Sequence, residues 1–318
     1  MLPDGNALHD SRIIVPLRNG GARWREAAAA LHRSIPDPSL VVVVDSTSTD
    51  GSDAVATDHG FELQRIDPGT FNHGRTRQAA VDQFCHGKSF AIFLTHDAII
   101  EGPGSLTALL GAFANSRVGA AYGRQLPHHN ARPFESHNAL FNYPQGSSVR
   151  TLADAPRLGI KTAYISNSFA AYRMQALREC GGFPSELILG EDTHVALRML
   201  MSGWAVSYRA DALVRHSHDY SIIEEMQRYF DMGVLHAQLP ELIQHLGAAE
   251  GEGTRFVVSE LRYMGAVAPW LVPEVVVRNA AKYLGYRLGR MFRRLPNGMR
   301  RVLSMTKGYW DSVPLAHP

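Results

Sequence analysis

Four short runs of branched and aromatic residues recur in the N-terminal third of the chain: RIIVPL (12–17), LVVVVD (40–45), FELQRID (61–67) and FAIFLTHD (90–97). LVVVVD is too short for a typical helix and is apolar up to its last residue, so it reads as a buried strand. Between the runs lie RWREAAAALHRS (23–34), which favours helix, and STDGSDAVATDHG (48–60), which opens on a Ser/Thr/Asp cluster and ends on Gly60. RTRQAAVDQFC (75–85) is a third helical segment. Strand alternating with helix predicts an α/β fold, a mostly parallel sheet flanked by helices on both faces. Ligands on such sheets sit beyond the carboxyl ends of the strands. Asp45 and Asp97 both fall there.

The glycine pattern narrows the class. No G-x-G-x-x-G follows the first strand, where PLRNGGARW stands instead, and no G-x-x-x-x-G-K-[ST] occurs. Dinucleotide folds and P-loop ATPases are disfavoured. A formal net charge of +2 over 318 residues gives no reason to expect nucleic acid. Two cysteines without metal-site spacing fit a reduced, cytoplasmic setting. The opening MLPDGNALHDSR lacks the basic–apolar–small order of a signal peptide, and no run of about 20 apolar residues predicts a membrane span.

The second half is less regular. VGAAYGRQLP (118–127) reads as strand and turn, 128–162 as a long polar loop, and 162–177 as strand then helix. LGEDTHVALRMLMSG (189–203) is a helix with acidic residues in its first turn, and 205–221 offers two short strands ending in HSH. Helices are expected at 221–237, 255–268 and 273–295, with a flexible GAAEGEG (247–253) between the first two. From Arg278 to Arg301 the chain carries eight basic residues and no acidic one, interleaved with apolar residues at near-helical spacing. This predicts a basic amphipathic helix that could lie on an anionic membrane surface, each charge attracting the bilayer by about 1 kcal/mol, or pack on the body with a solvated basic face.

Four polar clusters mark strand ends or helix starts: VDSTSTDGS (44–52), FNHGRTRQ (71–78), THDA (95–98) with RHSHD (215–219), and GEDTH (190–194). Each alone reads as a cap or a turn, but the topology sends the strand ends to one edge. Asp45 could accept from a base N–H or a ribose hydroxyl. Asp97 suits a hard divalent cation, Mg²⁺ or Mn²⁺, and a nitrogen ligand from His216 or His218 would favour Mn²⁺. Arg75 and Arg77 carry guanidinium groups suited to phosphate. Asp192, at a helix N-terminus, should stay ionised and could act as a general base.

The order VPLRN…VDSTSTDGS…FNHGRTRQ…FLTHDA…YGRQ…SNSFAAYR…GGFP…GEDTHVALRML…VRHSHDYS resembles family 2 glycosyltransferases of the GT-A fold, and within them the bacterial rhamnosyltransferase branch. The resemblance covers about 12–236. It implies a GT-A domain over 1–236, with 12–125 as the nucleotide-binding half and 126–236 as the acceptor and catalytic half, followed by a helical extension over 237–318. Pro16, Asn19, Asp45, Ser46 and Asp50 would form the nucleotide pocket. His73, Arg75, Arg77 and His96 would mark the donor-sugar and diphosphate region. Asp97 would be the last acidic member of a D-x-D metal motif, completed by His216 or His218. Asp192 would be the catalytic base and Glu191 its neighbour in the acceptor site. Thr95 stands where the first Asp is usual, His96 replaces a glutamine common in this branch, and Gln78 replaces an asparagine.

The implied reaction is inverting transfer of a sugar, L-rhamnose from dTDP-L-rhamnose, to a hydroxyl of a cell-surface glycan such as O-antigen, free or lipid-linked. The setting would be the cytoplasm, peripherally at the inner face of the plasma membrane. Two other readings stand beside it. A metal-dependent hydrolase could use Asp97, His216 and His218, although H-x-x-x-H or Cys spacing is missing. A non-catalytic nucleotide-sugar-binding protein would have no use for the carboxylate of GEDTH.

Overall fold

The computed structural model describes residues 6–247 and 250–312. Nine strands form one sheet: β1 (Ser11–Leu17), β2 (Val41–Asp45), β3 (Glu62–Arg65), β4 (Phe90–Leu94), β5 (Ile99–Ile100), β6 (Val118–Leu126), β7 (Ser148–Arg150), β8 (Phe169–Arg173) and β9 (Ala205–Arg215). Their order is β3-β2-β1-β4-β8-β6-β9-β5, with β7 paired to β9. The parallel pairing expected from the sequence holds across β3-β2-β1-β4 and between β6 and β9. Strand β8 enters antiparallel between β4 and β6. The carboxyl ends of β1, β2, β4, β6 and β9 therefore share one edge with the amino end of β8.

Side chains alternate along the strands, so each central strand feeds two cores. Ile14, Val42, Val44, Ala91 and Phe93 face one layer. Ile13, Val15, Val41, Val43 and Ile92 face the other, against Trp24 and Leu31 of α1 (Gly21–Ser34). All five residues of β2 are buried, as its unbroken apolar run predicts.

Helices α2 (His73–Phe84), α3 (Pro133–Asn142), α4 (Glu191–Met201), α5 (Ile222–Gln238), α6 (Glu250–Val267) and α7 (Val272–Arg290) complete the scaffold. Residues 128–162 are not one loop. They hold α3, β7 and several short helical turns, and Arg132 donates its backbone N–H to Glu135 at the start of α3. Residues 205–221 hold one long strand rather than two. Gly123 pairs with Arg209 and Arg124 with Leu213, so β9 bulges at 210–212 and continues. Of the segment expected to be flexible, 248–249 lie outside the described residues and 250–253 form the first turn of α6.

Helices α5 and α7 run side by side in the same direction at very close range. A Cβ at Gly285 would lie 2.2 Å from the Met226 carbonyl oxygen, and one at Gly289 2.0 Å from that of Phe230. Only glycine fits. Gly289→Val is expected to pry α7 from α5 and cost about 1–3 kcal/mol in urea unfolding; an unchanged midpoint would contradict this packing. The predicted basic face is also not wholly outward. Arg278 and Lys282 are buried and paired with Glu225, Glu274 and Glu260, leaving Arg287, Arg290, Arg293 and Arg294 exposed.

Candidate active site

In the order β3-β2-β1-β4 the chain reverses its direction across the sheet between β1 and β4, and a crevice forms where such a reversal occurs. A cavity of 1760 Å³ opens there. It reaches from Pro16, Ser46 and the Thr95–Asp97 segment, past Asp192, to the walls made by α5, α6 and α7. Single-ligand pockets usually measure about 300–1,000 Å³. The cavity has room for two substrates.

Behind the β1 edge, loops are tied to one another. Asn19, at φ +47°, donates its backbone N–H to Ser48 Oγ at 2.9 Å, and its Oδ1 accepts from Thr49 N at 2.8 Å. Asp45 is 1% exposed and accepts from the Ser48 backbone N–H and hydroxyl. Asp50 accepts from the N–H groups of Gly21 and Ser52, and the Ser52 bonds hold its carboxyl below the usual range. These three shape the pocket from behind and are not part of its lining. Pro16 and Ser46 do line it, and the hydroxyls of Ser46 and Thr95 are buried without a hydrogen-bond partner. Buried polar atoms are normally satisfied, so both orphans suit a polar ligand.

Asp97, His216 and His218 come together. His216 Nε2 lies 3.5 Å from Asp97 Oδ1, and His218 Nδ1 lies 3.8 Å from Oδ2. All three ligand atoms fall within 4.8 Å of one another. Burial works to raise the Asp97 carboxyl, but the His216 hydrogen bond and the charges of His216, His218 and His96 hold it well below the carboxylate range. On the far side of its ring, His216 Nδ1 is 2.9 Å from Gln125 Oε1. If a cation replaced the Nε2 proton that faces Asp97, Nδ1–H could still donate to Gln125, which is the tautomer a metal ligand needs. This one-carboxylate, two-imidazole set fits a divalent cation.

The acidic pair sits at the N-terminus of α4. Gly190 precedes it at φ +76°, and a Cβ there would lie 2.4 Å from Leu235, so glycine is required twice over. Glu191 is buried and accepts from Arg77 Nη1 at 2.7 Å and Asn167 Nδ2 at 3.0 Å. Burial pushes its carboxyl up, yet Arg77, His73 and Asn167 together hold it below its usual value. Asp192 accepts from the backbone N–H of Asn167 at 3.2 Å and of Thr193 at 2.7 Å. Burial first and the Glu191 charge second push the Asp192 carboxyl up to about 6. Asp192 thus stays mainly ionised at neutral pH, as expected from the helix terminus, but takes up its proton nearer to neutrality than an ordinary carboxyl does.

The two arginines expected beside a diphosphate are placed differently. Arg75 is exposed and outside the cavity lining, while Arg77 is engaged with Glu191 beneath Asp192. His73 lines the cavity, its imidazole pushed down to about 4 chiefly by burial, and His96 lines it near Gly20. Gln78 accepts from Phe183 N at 2.7 Å and fixes the GGFP turn. Sequence reasoning missed Gln125 and Asn167. Asn167 belongs to SNSFAAYR and bonds both acidic residues, while its Oδ1 accepts from the buried Tyr172 hydroxyl.

Residues 12–230 match the model of the family described as glycosyltransferase-like family 2. The chain belongs to that family and is a glycosyltransferase. It is 42% identical over 302 residues to the O-antigen chain rhamnosyltransferase WbaN of Salmonella anatum, covering 95% of this chain and 96% of that protein. It is 41% identical, over the same shares, to RfbN of Salmonella typhimurium, which carries the same description. Among solved structures it resembles a mannosyltransferase of Pyrobaculum calidifontis in complex with GDP-mannose and Mn²⁺, at TM-score 0.56 and 19% identity, over 96% of this chain and 88% of that one. It also resembles residues 1–349 of Staphylococcus aureus TarS, at TM-score 0.51 and 16% identity, over 89% and 91%. The GT-A fold is shared.

Proposed function

We propose that the chain transfers L-rhamnose from dTDP-L-rhamnose to a hydroxyl of an O-antigen-type glycan, with inversion at the anomeric carbon. One observation carries the mechanism: Asp192, a buried carboxylate raised towards neutrality, shares a cavity with the Asp97/His216/His218 triad. The names of relatives at 42% and 41% identity, O-antigen chain rhamnosyltransferases, support the choice of sugar and acceptor class. Pro16, Ser46 and Thr95 would meet the nucleotide. Asp97, His216 and His218 would hold Mg²⁺ or Mn²⁺, which when bound neutralises charge on the diphosphate. Asp192 takes the proton of the acceptor hydroxyl as its oxygen attacks, and Asn167 N–H and the α4 terminus keep the carboxylate aimed. Glu191 is committed to Arg77 and Asn167 and is not free to act as a covalent nucleophile beside Asp192. A single displacement is the chemistry that this pair supports.

The division expected from the sequence belongs to the same proposal, with 12–125 taking the donor, 126–236 the acceptor, and 237–318 an extension. Arg278, Lys282 and Tyr286 of that extension line the cavity, and in this reading α7 would belong to the acceptor wall. Calorimetry with dTDP and Mn²⁺ tests the metal assignment. Asp97→Ala should lose the metal-dependent part of the affinity, a fall of about 10–100-fold; unchanged affinity would return Asp97 to an ordinary strand end.

Membrane contact is a further part of the reading. No helix among the described residues is long and apolar enough to cross a membrane. The outer face of α7 and its approach nevertheless expose Trp270 (74%), Val276 (62%), Val277, Leu284 and Met291, bordered by exposed arginines. That pattern suits an anionic bilayer surface at the cytoplasmic face, close to a lipid-linked acceptor. The protein should float with phosphatidylglycerol vesicles and not with phosphatidylcholine ones, and Arg293→Glu/Arg294→Glu should abolish flotation. Equal behaviour of the two lipids would sink the idea.

A further inference from the structure

Residues 225, 228, 229, 232, 235 and 236 of α5 face the cavity at three- and four-residue steps. The helix begins just after the His216–His218 segment, and Leu235 near its far end packs on Gly190, which precedes the acidic pair. Arg228 therefore stands between the triad and Asp192. Its charge is felt on both sides: it depresses His73 and His218 and also acts on Tyr164 and Tyr220.

The other cations of this part of the wall are engaged. Arg77 bonds Glu191, Arg278 bonds Glu225 and Glu274, Lys282 pairs with Glu225 and Glu260, and Arg290 donates to the His236 carbonyl. Arg287 bonds the Tyr283 hydroxyl, and Lys161 pairs with Glu252. Arg228 has no hydrogen bond or ion pair among the described residues, a condition shared within the lining by Arg18 on the β1 side. Arg228 is exposed to the open cavity, so its guanidinium is solvated there and free to meet a dianionic ligand, to which its donor geometry is complementary.

We propose that Arg228 is a catalytic residue that clamps the diphosphate of the donor as it leaves. The inference rests on the function proposed above and adds to it the group that receives the leaving charge. As the acceptor oxygen bonds to the anomeric carbon, the bond from that carbon to the diphosphate oxygen breaks, and both electrons stay on that oxygen. The acceptor proton goes to Asp192. Arg228 donates N–H groups to the oxygens that gain charge, so its contribution is greatest in the transition state. The diphosphate of a lipid carrier has the same chemistry, and the test separates the two sources.

The experiment uses the full chain and its Arg228→Gln and Arg228→Lys variants. Calorimetry measures dTDP, dTMP and farnesyl diphosphate, each with Mn²⁺, and transfer is measured alongside. Arg228→Gln should bind dTDP about 10-fold more weakly, dTMP nearly as wild type, and lose about 100-fold in kcat. Arg228→Lys should recover part of both. The thermal midpoint without ligand should not move, because the side chain bonds nothing. Wild-type dTDP affinity and turnover in Arg228→Gln would overturn the clamp. Weakened farnesyl diphosphate binding with dTDP unchanged would overturn the donor assignment and give Arg228 to the lipid carrier. Failure of the wild type itself to bind any nucleoside diphosphate would instead remove the proposed function.

Discussion

Asp192→Asn is expected to stop sugar transfer while making the protein more stable at neutral pH. Loss of a general base costs about 10²–10⁴-fold in rate, and the amide of Asn has no proton affinity with which to replace it. Donor binding should survive, because the triad and the β1 edge are untouched. The stability gain follows from the raised carboxyl. Unfolded, Asp192 titrates near the ordinary 3.8; folded, burial and Glu191 push it up to about 6. The fold therefore disfavours the charged form. Stability is lost as pH rises from the unfolded value through the folded one, and the full penalty persists above. Removing the charge should return about 1–3 kcal/mol at pH 8 and progressively less below about pH 4. Wild-type turnover should correspondingly decline as pH falls through about 6, where the base becomes protonated. Near-normal turnover by Asp192→Asn, or a drop in its melting temperature at pH 8, would contradict this account.

Arg77→Met is expected to be among the most damaging single changes to stability. Arg77 and Glu191 are both nearly inaccessible, and their 2.7 Å contact is the main compensation for the Glu191 charge. Removing one partner of a buried pair typically costs about 3–5 kcal/mol, because the other is left charged and desolvated. Asn167 alone cannot replace a guanidinium. The double variant Arg77→Met/Glu191→Gln should recover much of the loss, since both charges are then gone. Urea unfolding of the three variants decides it. A single variant within about 1 kcal/mol of wild type would mean that the pair does not hold the α2–α4 junction.

The parts of the fold legible in the sequence were those encoded locally. Val41–Val44 can be little other than a doubly buried strand, and its Asp45 marks the sheet edge. Pairing direction is not a local property, so nothing in FAAYR announces that β8 runs antiparallel. The polar RAD at 209–211 looks like a strand break, whereas the structure absorbs it as a bulge. Helix α3 opens on ARPFES, where Arg132 stands in a position usually filled by a good capping residue, so its start gave no clear signal.

The site was legible where charge or a strand end marked it, as with Asp97, the HSH segment and Asp192. Arg75 and Arg77 could not both serve it, because residues two apart on a helix point to different faces. Gln125 and Asn167 lie within YGRQ and SNSFAAYR, yet were given no role because an uncharged amide does not announce one; the hydrogen bonds to His216 and to the acidic pair reveal it. Arg228 is one arginine among many until its lack of partners is seen.

The central claim is a metal-dependent donor site for a deoxythymidine diphosphate sugar. It is tested most directly by thermal shift of the wild-type protein with dTDP-L-rhamnose, UDP- and GDP-sugars, each in Mn²⁺ or EDTA. A ligand at about 100 times its dissociation constant adds about 2.7 kcal/mol of stability. The account predicts a shift that is largest with dTDP-L-rhamnose and is lost in EDTA. No shift with any nucleotide sugar, together with strong stabilisation by zinc alone, would contradict it and point to a hydrolase built on Asp97, His216 and His218.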